Sequence, residues 1–317
     1  MRVRIAIPTY HRPDSLRVAL DGVNDQIAEL SPLLGDVSVM VIDNDPQGSA
    51  RSATESKGAL YVVEPHPGIA AVRNRSIVEA ADEDAIIFLD DDEVPCRGWL
   101  RALIERFKDS GADGVAGKVL TPIPNDVPEW IAVSGAFVRP VRQDGAEMEE
   151  AATNNLILNL HSVRRSAIRF DERFGLSGGS DSLFTRSFVR WGAKIVWAER
   201  AVVLEQVDPE RFTRSWVLQR TFRLGNTSCR VNIALARSQF ERRKVRAQMV
   251  VTGAIRVVVG HARIGWGRAT GSLSHVGHGE RTASRGRGMV AGTLGHVYSE
   301  YGLRRAAVQA RAGRTKT

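Results

Sequence analysis

Four acids stand in a row in this sequence, Asp90, Asp91, Asp92 and Glu93, directly after the apolar run AIIFL. Carboxylates packed within a few ångströms of one another repel, so folding either raises their pKa values or is opposed, unless a cation relieves the repulsion. A divalent ion is the simplest relief. Mg²⁺ is commonly held by one or two carboxylates together with substrate phosphates, so a set this sparse points to a phosphate-bearing partner. A solvated acidic turn is the other reading of the same run. A second group lies in GLSGGSD, where Gly178 and Gly179 permit a tight turn that lets a substrate approach the backbone, and Ser180 and Asp181 open a helix. Ser and Asp are also good N-caps, so by residue type alone this segment reads equally as a helix start.

The elements that must position these groups show as an alternation. RIAI, VSVMVI, LYVV and AIIFL are short apolar runs rich in β-branched residues, and segments of helical period lie between or after them at 13–34, 68–81 and 99–107. That order predicts βαβ units and a mostly parallel, Rossmann-like α/β sheet flanked by helices. Trp99, Leu100, Leu103, Ile104 and Phe107 fall on one stripe of the third helix, which therefore packs on the sheet. Ligands of such sheets bind outside the carboxyl ends of the strands. That rim carries Thr9, Tyr10 and Arg12 after the first run, Asp43, Asn44 and Asp45 after the second, and the four acids after AIIFL. Residues 121–153, rich in Pro, Gly and charge, read as a long loop or flap before the strand NNLILNL. A helix over 182–191 and the strand KIVWAERAVVL follow.

Composition narrows the classes. With 43% hydrophobic and 25% charged residues the chain is neither disordered nor fibrous. Cys96 and Cys229 cannot build a disulfide framework, and no Cys/His cluster has zinc spacing. MRVRIAIPTY reads as a first strand rather than a signal peptide, which predicts a cytoplasmic location. The late segment MVVTGAIRVVVG is interrupted by Arg256 and falls short of the ~18 apolar residues of a span. The +8 formal charge is uneven: residues 241–317 hold 15 Lys and Arg against 3 acids, a net of +12, leaving −4 on residues 1–240. An acidic partner of the tail is implied, beside a main body with a different task.

Taken in order, IPTYHRPDSL, VIDND, GIAAVRNRSI, FLDDDEVP and NNLILNLHSVRRSAIRFDERFGLSGGSDSLFTRSFVRWG resemble the family 2 glycosyltransferases of GT-A fold over roughly the first 225 residues. The resemblance implies an inverting transfer of a sugar from a nucleotide-diphosphate donor to an acceptor hydroxyl of a saccharide or lipid-linked saccharide, with Mn²⁺ or Mg²⁺ as cofactor. It implies that Pro8, Thr9 and Tyr10 line the nucleotide pocket, that Asp43 holds the base or ribose, and that Arg73 and Asn74 meet the donor; Arg12, on the same rim, is a further expected donor contact. Asp90 and Asp92 match the family's metal-binding Asp-x-Asp, Asp90 serving ribose or metal, and Asp181 matches its general base. Extended backbone through the acid run would send Asp90 and Asp92 to one side and Asp91 to the other. Two departures stand out: Ser180 replaces a customary Glu, and Glu205 lies where many relatives place a His near the metal.

The expected organisation is a catalytic domain over 1–240, with a nucleotide-sugar half (1–120) and an acceptor half (121–240), followed by a helical basic region over 241–317. Two stretches there look amphipathic and cationic. One holds Met249, Val250, Ile255, Val257, Val258, Val259, Ile264 and Trp266 among Arg256, Arg263 and Arg268, and the other Val290, Leu294, Val297, Tyr298 and Tyr301 between Arg285, Arg287, Arg304 and Arg305. Such segments suit the interface of an anionic membrane, peripheral on its inner face, or else pack on the body with their arginines in water. Nucleic acid is not an expected partner, because the tail interleaves few aromatics with its cations and the acidic rim would repel phosphate.

Overall fold

The computed structural model describes residues 1–30 and 35–298. In chain order it contains β1 (Arg2–Thr9), α1 (Pro13–Ala28), β2 (Asp36–Asp43), α2 (Arg51–Glu55), β3 (Leu60–Val63), α3 (Ile69–Glu79), β4 (Ala85–Leu89), β5 (Glu93–Pro95), α4 (Trp99–Ser110) and β6 (Gly114–Leu120). These are followed by α5 (Glu129–Val133), β7 (Asn155–Asn159), α6 (Leu160–Ser166), α7 (Ser180–Trp191), β8 (Ile195–Glu205), α8 (Arg214–Ala234), α9 (Gln239–Ala269) and α10 (Leu273–Thr293). The chain divides into two compact units. The first comprises 1–122, 139–175 and 180–206, and the second 123–138, 176–179 and 207–317.

The first unit is built on one sheet with strand order β3-β2-β1-β4-β7-β6-β8-β5. Its leading half, β3-β2-β1-β4, is parallel. β7 then runs antiparallel to both β4 and β6, β8 is parallel to β6, and β5 is antiparallel to β8, so the sheet is mixed. Period-2 alternation sorts the leading strands' side chains into two apolar layers. Val3, Ile5, Ile7, Val41, Ile87 and Leu89 join the α1 and α4 residues Leu16, Leu20, Trp99 and Leu103 on one face. Ala6, Met40, Ile42, Ile86 and Phe88 join Phe184 and Phe188 of α7 on the other. Both faces are covered, which is why these runs are almost continuously apolar. The register pairs Thr9 with Asp43 and Asp43 with Val63, so neighbouring strands end level and their following loops share one rim.

All six apolar runs read as strands are strands. The first helix ends at Ala28, short of the expected 34, and 31–34 lie outside the described residues. The stretch 121–153 contains the short helix α5, whose Trp130 and Ile131 join Phe137, Phe212 and Val217 in the core of the second unit. In that unit α9 and α10 pack closely together, and α10 packs on α8. The second amphipathic stripe does not run on as a helix: α10 ends at Thr293, and Gly295, with φ 84°, takes the left-handed conformation that commonly terminates helices. Leu294 and Val297 are exposed, Tyr298 meets Phe222 edge-on, and Tyr301, Arg304 and Arg305 lie outside the described residues.

Candidate active site

At the tip of β4 the chain turns at once. The Glu93 N–H donates to the Asp90 carbonyl at 3.1 Å, closing a four-residue turn. The acid run is therefore not extended, and the expected alternation fails with it. Asp91 and Asp92 share one guanidinium nitrogen of Arg12, at 3.0 and 2.9 Å, and the Thr9 hydroxyl donates to the other oxygen of Asp91 at 2.7 Å. Asp91, buried, is thus tied to the loop after β1. Asp90 is instead held near Arg73 of α3, 3.8 Å away, with 36% of its side chain accessible.

Electrostatically this tip is overcharged. Burial pushes the Asp90 carboxyl up to about 7; Arg73 works against that shift, while Asp92, Asp91 and Asp181 add to it. Burial likewise lifts Asp91 to about 6 against the pull of Arg12. Glu93, on β5, is held well above the usual carboxylate range by burial and then by Asp90 and Asp92. One of its oxygens accepts from the Asn154 amide, and the other, Oε2, is buried with no hydrogen-bond partner among the described residues. A divalent cation fits these residues, since they offer hard oxygen donors, unrelieved negative charge and an orphaned buried oxygen. Among the described residues no group of three or more Asp, Glu, His or Cys forms a ready-made cage. Any ion here would need oxygens from a ligand to complete its shell.

Glu205, at the end of β8, is the β-ladder partner of Glu93. Its Oε2 accepts from the Thr121 hydroxyl at 2.7 Å and from Arg139 at 2.6 Å. Arg139 comes from the stretch read as a flap and Asn154 opens the expected strand NNLILNL, and the sequence did not single either out: they lie 66 and 61 residues from the acids they touch. His11 also went unnoticed. It adopts φ 53°, left-handed for a non-glycine residue, stacks edge-on against Tyr10 and brings Nε2 to 3.6 Å from Asp45.

The remaining expected residues divide into two groups. Arg73 is buried in α3; its Nη1 donates to the Ser180 hydroxyl at 3.3 Å, its guanidinium lies 5.7 Å from the Phe170 ring centre, and its Nε is without a partner. Ser180 therefore offers Arg73 a hydroxyl where a Glu would offer a carboxylate. Asp181 opens α7, the chain entering through Gly178 and Gly179 at φ 79° and 96°, and one oxygen accepts from the Ser182 N–H at 2.9 Å. Arg12, Arg73, Asp90, Asp92 and Asp181 thus gather around the β4 tip. Asp43 and Asn74 are bound elsewhere. The fully buried Asp43 carboxylate accepts from the N–H groups of Asp45 and Ala50 and from the Tyr61 hydroxyl, at 3.0, 2.8 and 2.9 Å, which holds the turn after β2. The Asn74 amide clamps the backbone of Phe170 through both its donor and its acceptor, each at 2.9 Å. Pro8 is buried within β1 opposite Ile42.

A close backbone approach sets α3 against this rim. Gly68 caps the helix at φ 117°, where an added Cβ would sit 3.1 Å from the Gly175 carbonyl carbon, and its N–H donates to Asn44 at 2.9 Å. Any side chain there would push Arg73 away from Asp90.

A sheet of this order, with an acid turn after its fourth strand and a carboxylate at the start of a facing helix, is the architecture of a GT-A glycosyltransferase. Residues 4–170, more than half of the chain, match the family model described as Glycosyl transferase family 2. The succinoglycan biosynthesis protein ExoM of Rhizobium meliloti is 31% identical over 239 residues, covering 73% of this chain and 75% of that protein. The chain belongs to glycosyl transferase family 2 and is a glycosyltransferase. The pre-mycofactocin glycosyltransferase of Mycobacterium tuberculosis is 26% identical over 71% of this chain, which spans only 47% of that relative. Among solved structures, S. aureus TarS 1-349 in complex with UDP aligns with TM-score 0.52 and 15% identity, covering 94% of this chain and 93% of that one. The same fragment with UDP-GlcNAc aligns with TM-score 0.51. This chain spans 42% of the longer TarS chain.

Proposed function

We propose that the chain transfers a sugar from a nucleoside-diphosphate donor to a saccharide hydroxyl, with inversion at the anomeric carbon and dependence on Mn²⁺ or Mg²⁺. The observation that carries this reading is the β4 tip, where Asp90 is reachable, raised to about 7 by burial and neighbouring acids including Asp181, and beside Arg73, while Arg12 pairs with Asp92. Repulsion within the acid turn is relieved most simply by a cation brought in with a diphosphate. The UDP-GlcNAc complex of TarS and the role of ExoM in succinoglycan biosynthesis support a nucleotide-sugar donor and a saccharide acceptor.

In this scheme Asp90 and Asp92 would hold the cation. Glu205, whose Oε2 accepts from Thr121 and Arg139, would be a further oxygen donor beside the two aspartates. When bound, the cation neutralises charge developing on the departing diphosphate. Arg73 supplies a buried positive charge beside Asp90, and Arg12 keeps Asp91 and Asp92 from repelling the donor. The loop from Thr9 to Arg12 contacts the nucleotide, while Asp43 and Asn74 shape its walls by fixing the turn after β2 and the position of Phe170. Asp181 takes the proton of the acceptor hydroxyl through the oxygen not engaged by Ser182. The acceptor oxygen bonds to the anomeric carbon as its bond to the diphosphate breaks, and one such displacement inverts configuration. The chain works in the cytoplasm, where nucleotide sugars are made, on a soluble or lipid-linked saccharide.

The test is nucleoside-diphosphate release across a panel of nucleotide sugars with Mn²⁺, Mg²⁺ or EDTA, followed by NMR of the product. Cation-dependent turnover and an inverted anomeric centre are expected. Retention of configuration would defeat the single displacement, and full turnover in EDTA would remove the cation from the scheme.

A further inference from the structure

Helix α9 has two unlike faces. On one, Gly253, Gly260 and Gly267 recur every seven residues against α10. An added Cβ would lie 2.9 Å from Gly286 O, 2.6 Å from Ala283 N and 2.8 Å from Val276 N respectively, so the two backbones are in close contact and only glycine fits. Among the described residues the opposite face has no partner within its unit. Val251, Ile255, Val258 and Trp266 are 58, 56, 68 and 63% accessible, with the exposed Ala254 and Ala262 between them. At 100° per residue these positions, together with Ala247, form one stripe about 28 Å long. From Val251 to Trp266 no polar side chain falls on that stripe, and Gln248 stands at its N-terminal end.

Cations line one margin. Arg243 and Arg268 lie along that edge, while Arg256 and Arg263 sit toward the α10 seam, Arg263 Nε donating to His275 at 3.4 Å, and α9 as a whole carries seven Lys and Arg against the single acid Glu241. Stems that flank an apolar stripe with their charges turned aside suit a phosphate-bearing interface, into which the stripe sinks while the cations meet headgroups. The charge also disfavours a second copy of this chain as the covering surface. Self-pairing through α9 would bring two sets of seven cations together with one acid each. No helix among the described residues is long and apolar enough to cross a membrane, so the stripe would lie along the surface.

We propose that this face of α9 docks on an anionic phospholipid surface, with Val251, Ile255, Val258 and Trp266 in the headgroup–acyl boundary and the marginal arginines on lipid phosphates. The inference stands on the second unit alone and is independent of the donor chemistry proposed above.

Flotation of the full chain with vesicles of phosphatidylcholine, with and without about 30% phosphatidylglycerol, tests it. The wild type should bind the anionic vesicles at least about tenfold better than the neutral ones, and Trp266 emission should shift to the blue, a shift absent in Trp266→Phe. The charge-neutral double variant Val251→Gln/Val258→Gln should lose about tenfold or more in binding, with thermal unfolding and hydrolysis of a soluble donor unchanged. Arg243→Gln/Arg268→Gln should weaken binding to anionic vesicles alone. No flotation at low salt, or binding unaltered in the Val251/Val258 variant, overturns the proposal. So does a wild-type dimer that this variant dissociates while vesicles bind neither protein, which would assign the stripe to a second copy.

Discussion

Asp90 and Asp91 are one peptide apart, yet different parts of the molecule hold them. Asp91 receives Thr9 and Arg12 at 2.7 and 3.0 Å, whereas Asp90 has only Arg73 at 3.8 Å. Asp91 therefore fastens the turn and Asp90 is left for a ligand, which separates the effects of two isosteric changes. Asp91→Asn should lower stability more than turnover, while Asp90→Asn should lower cation-dependent turnover with little loss of stability; paired melting and rate measurements check both. Asp181→Asn should reduce kcat by about 10²–10⁴ with the donor KM nearly unchanged, as expected for loss of a base acting only in the transition state.

The raised Asp90 carboxyl also makes stability depend on pH in the cation-free protein. It binds its proton more tightly folded, at about 7, than unfolded, at the ordinary 3.8. Its stabilising contribution is thus complete below the unfolded value and is lost as pH rises through 7. In EDTA the melting temperature should fall between about pH 5 and 8, and Asp90→Asn or saturating Mn²⁺ should flatten that fall. At this scale the acid run and the GGSD segment were legible because their chemistry is contiguous in sequence. Arg139, Asn154 and the strained His11 were not, because their roles arise from contacts or a backbone angle that no local pattern encodes.

Among the elements, legibility followed burial. β1, β2, β4, β7 and β8 are strongly apolar, and α4 shows its period so plainly that all five residues placed on its stripe are buried. β5 has only three residues and opens with the last of the acids, so it reads as part of the charged turn. β6 carries Gly114 and Gly117, and glycine lowers strand propensity. Gly117 is nonetheless required, since an added Cβ would sit 2.3 Å from the Asn155 amide nitrogen, and that amide holds the β6 and β8 backbones. Leu103→Ala in α4 should cost about 2–5 kcal/mol by opening a cavity under the sheet, measurable by urea unfolding. Gly260→Val should cost at least about 1–3 kcal/mol by driving α9 from α10, while leaving the environment of the β4 tip unchanged by NMR.

For the molecule as a whole, the uneven charge noted in the sequence has a structural counterpart. The acids that bear on chemistry cluster at one sheet tip in the first unit, and α9 of the second unit carries seven cations against one acid. The expected boundary near 240 could not reveal that 123–138 and 176–179 fold with the C-terminal helices, because such interleaving is fixed by tertiary contacts rather than by composition. The central claim concerns the acid turn at the β4 tip and is tested most directly by calorimetry. The folded chain would be titrated with each common nucleotide sugar in Mn²⁺ and again in EDTA, beside Asp90→Asn/Asp92→Asn. The expected result is donor binding that needs Mn²⁺ and disappears in the acid variant. Equal binding with and without the cation, or no binding to any donor by the wild-type protein, would contradict it.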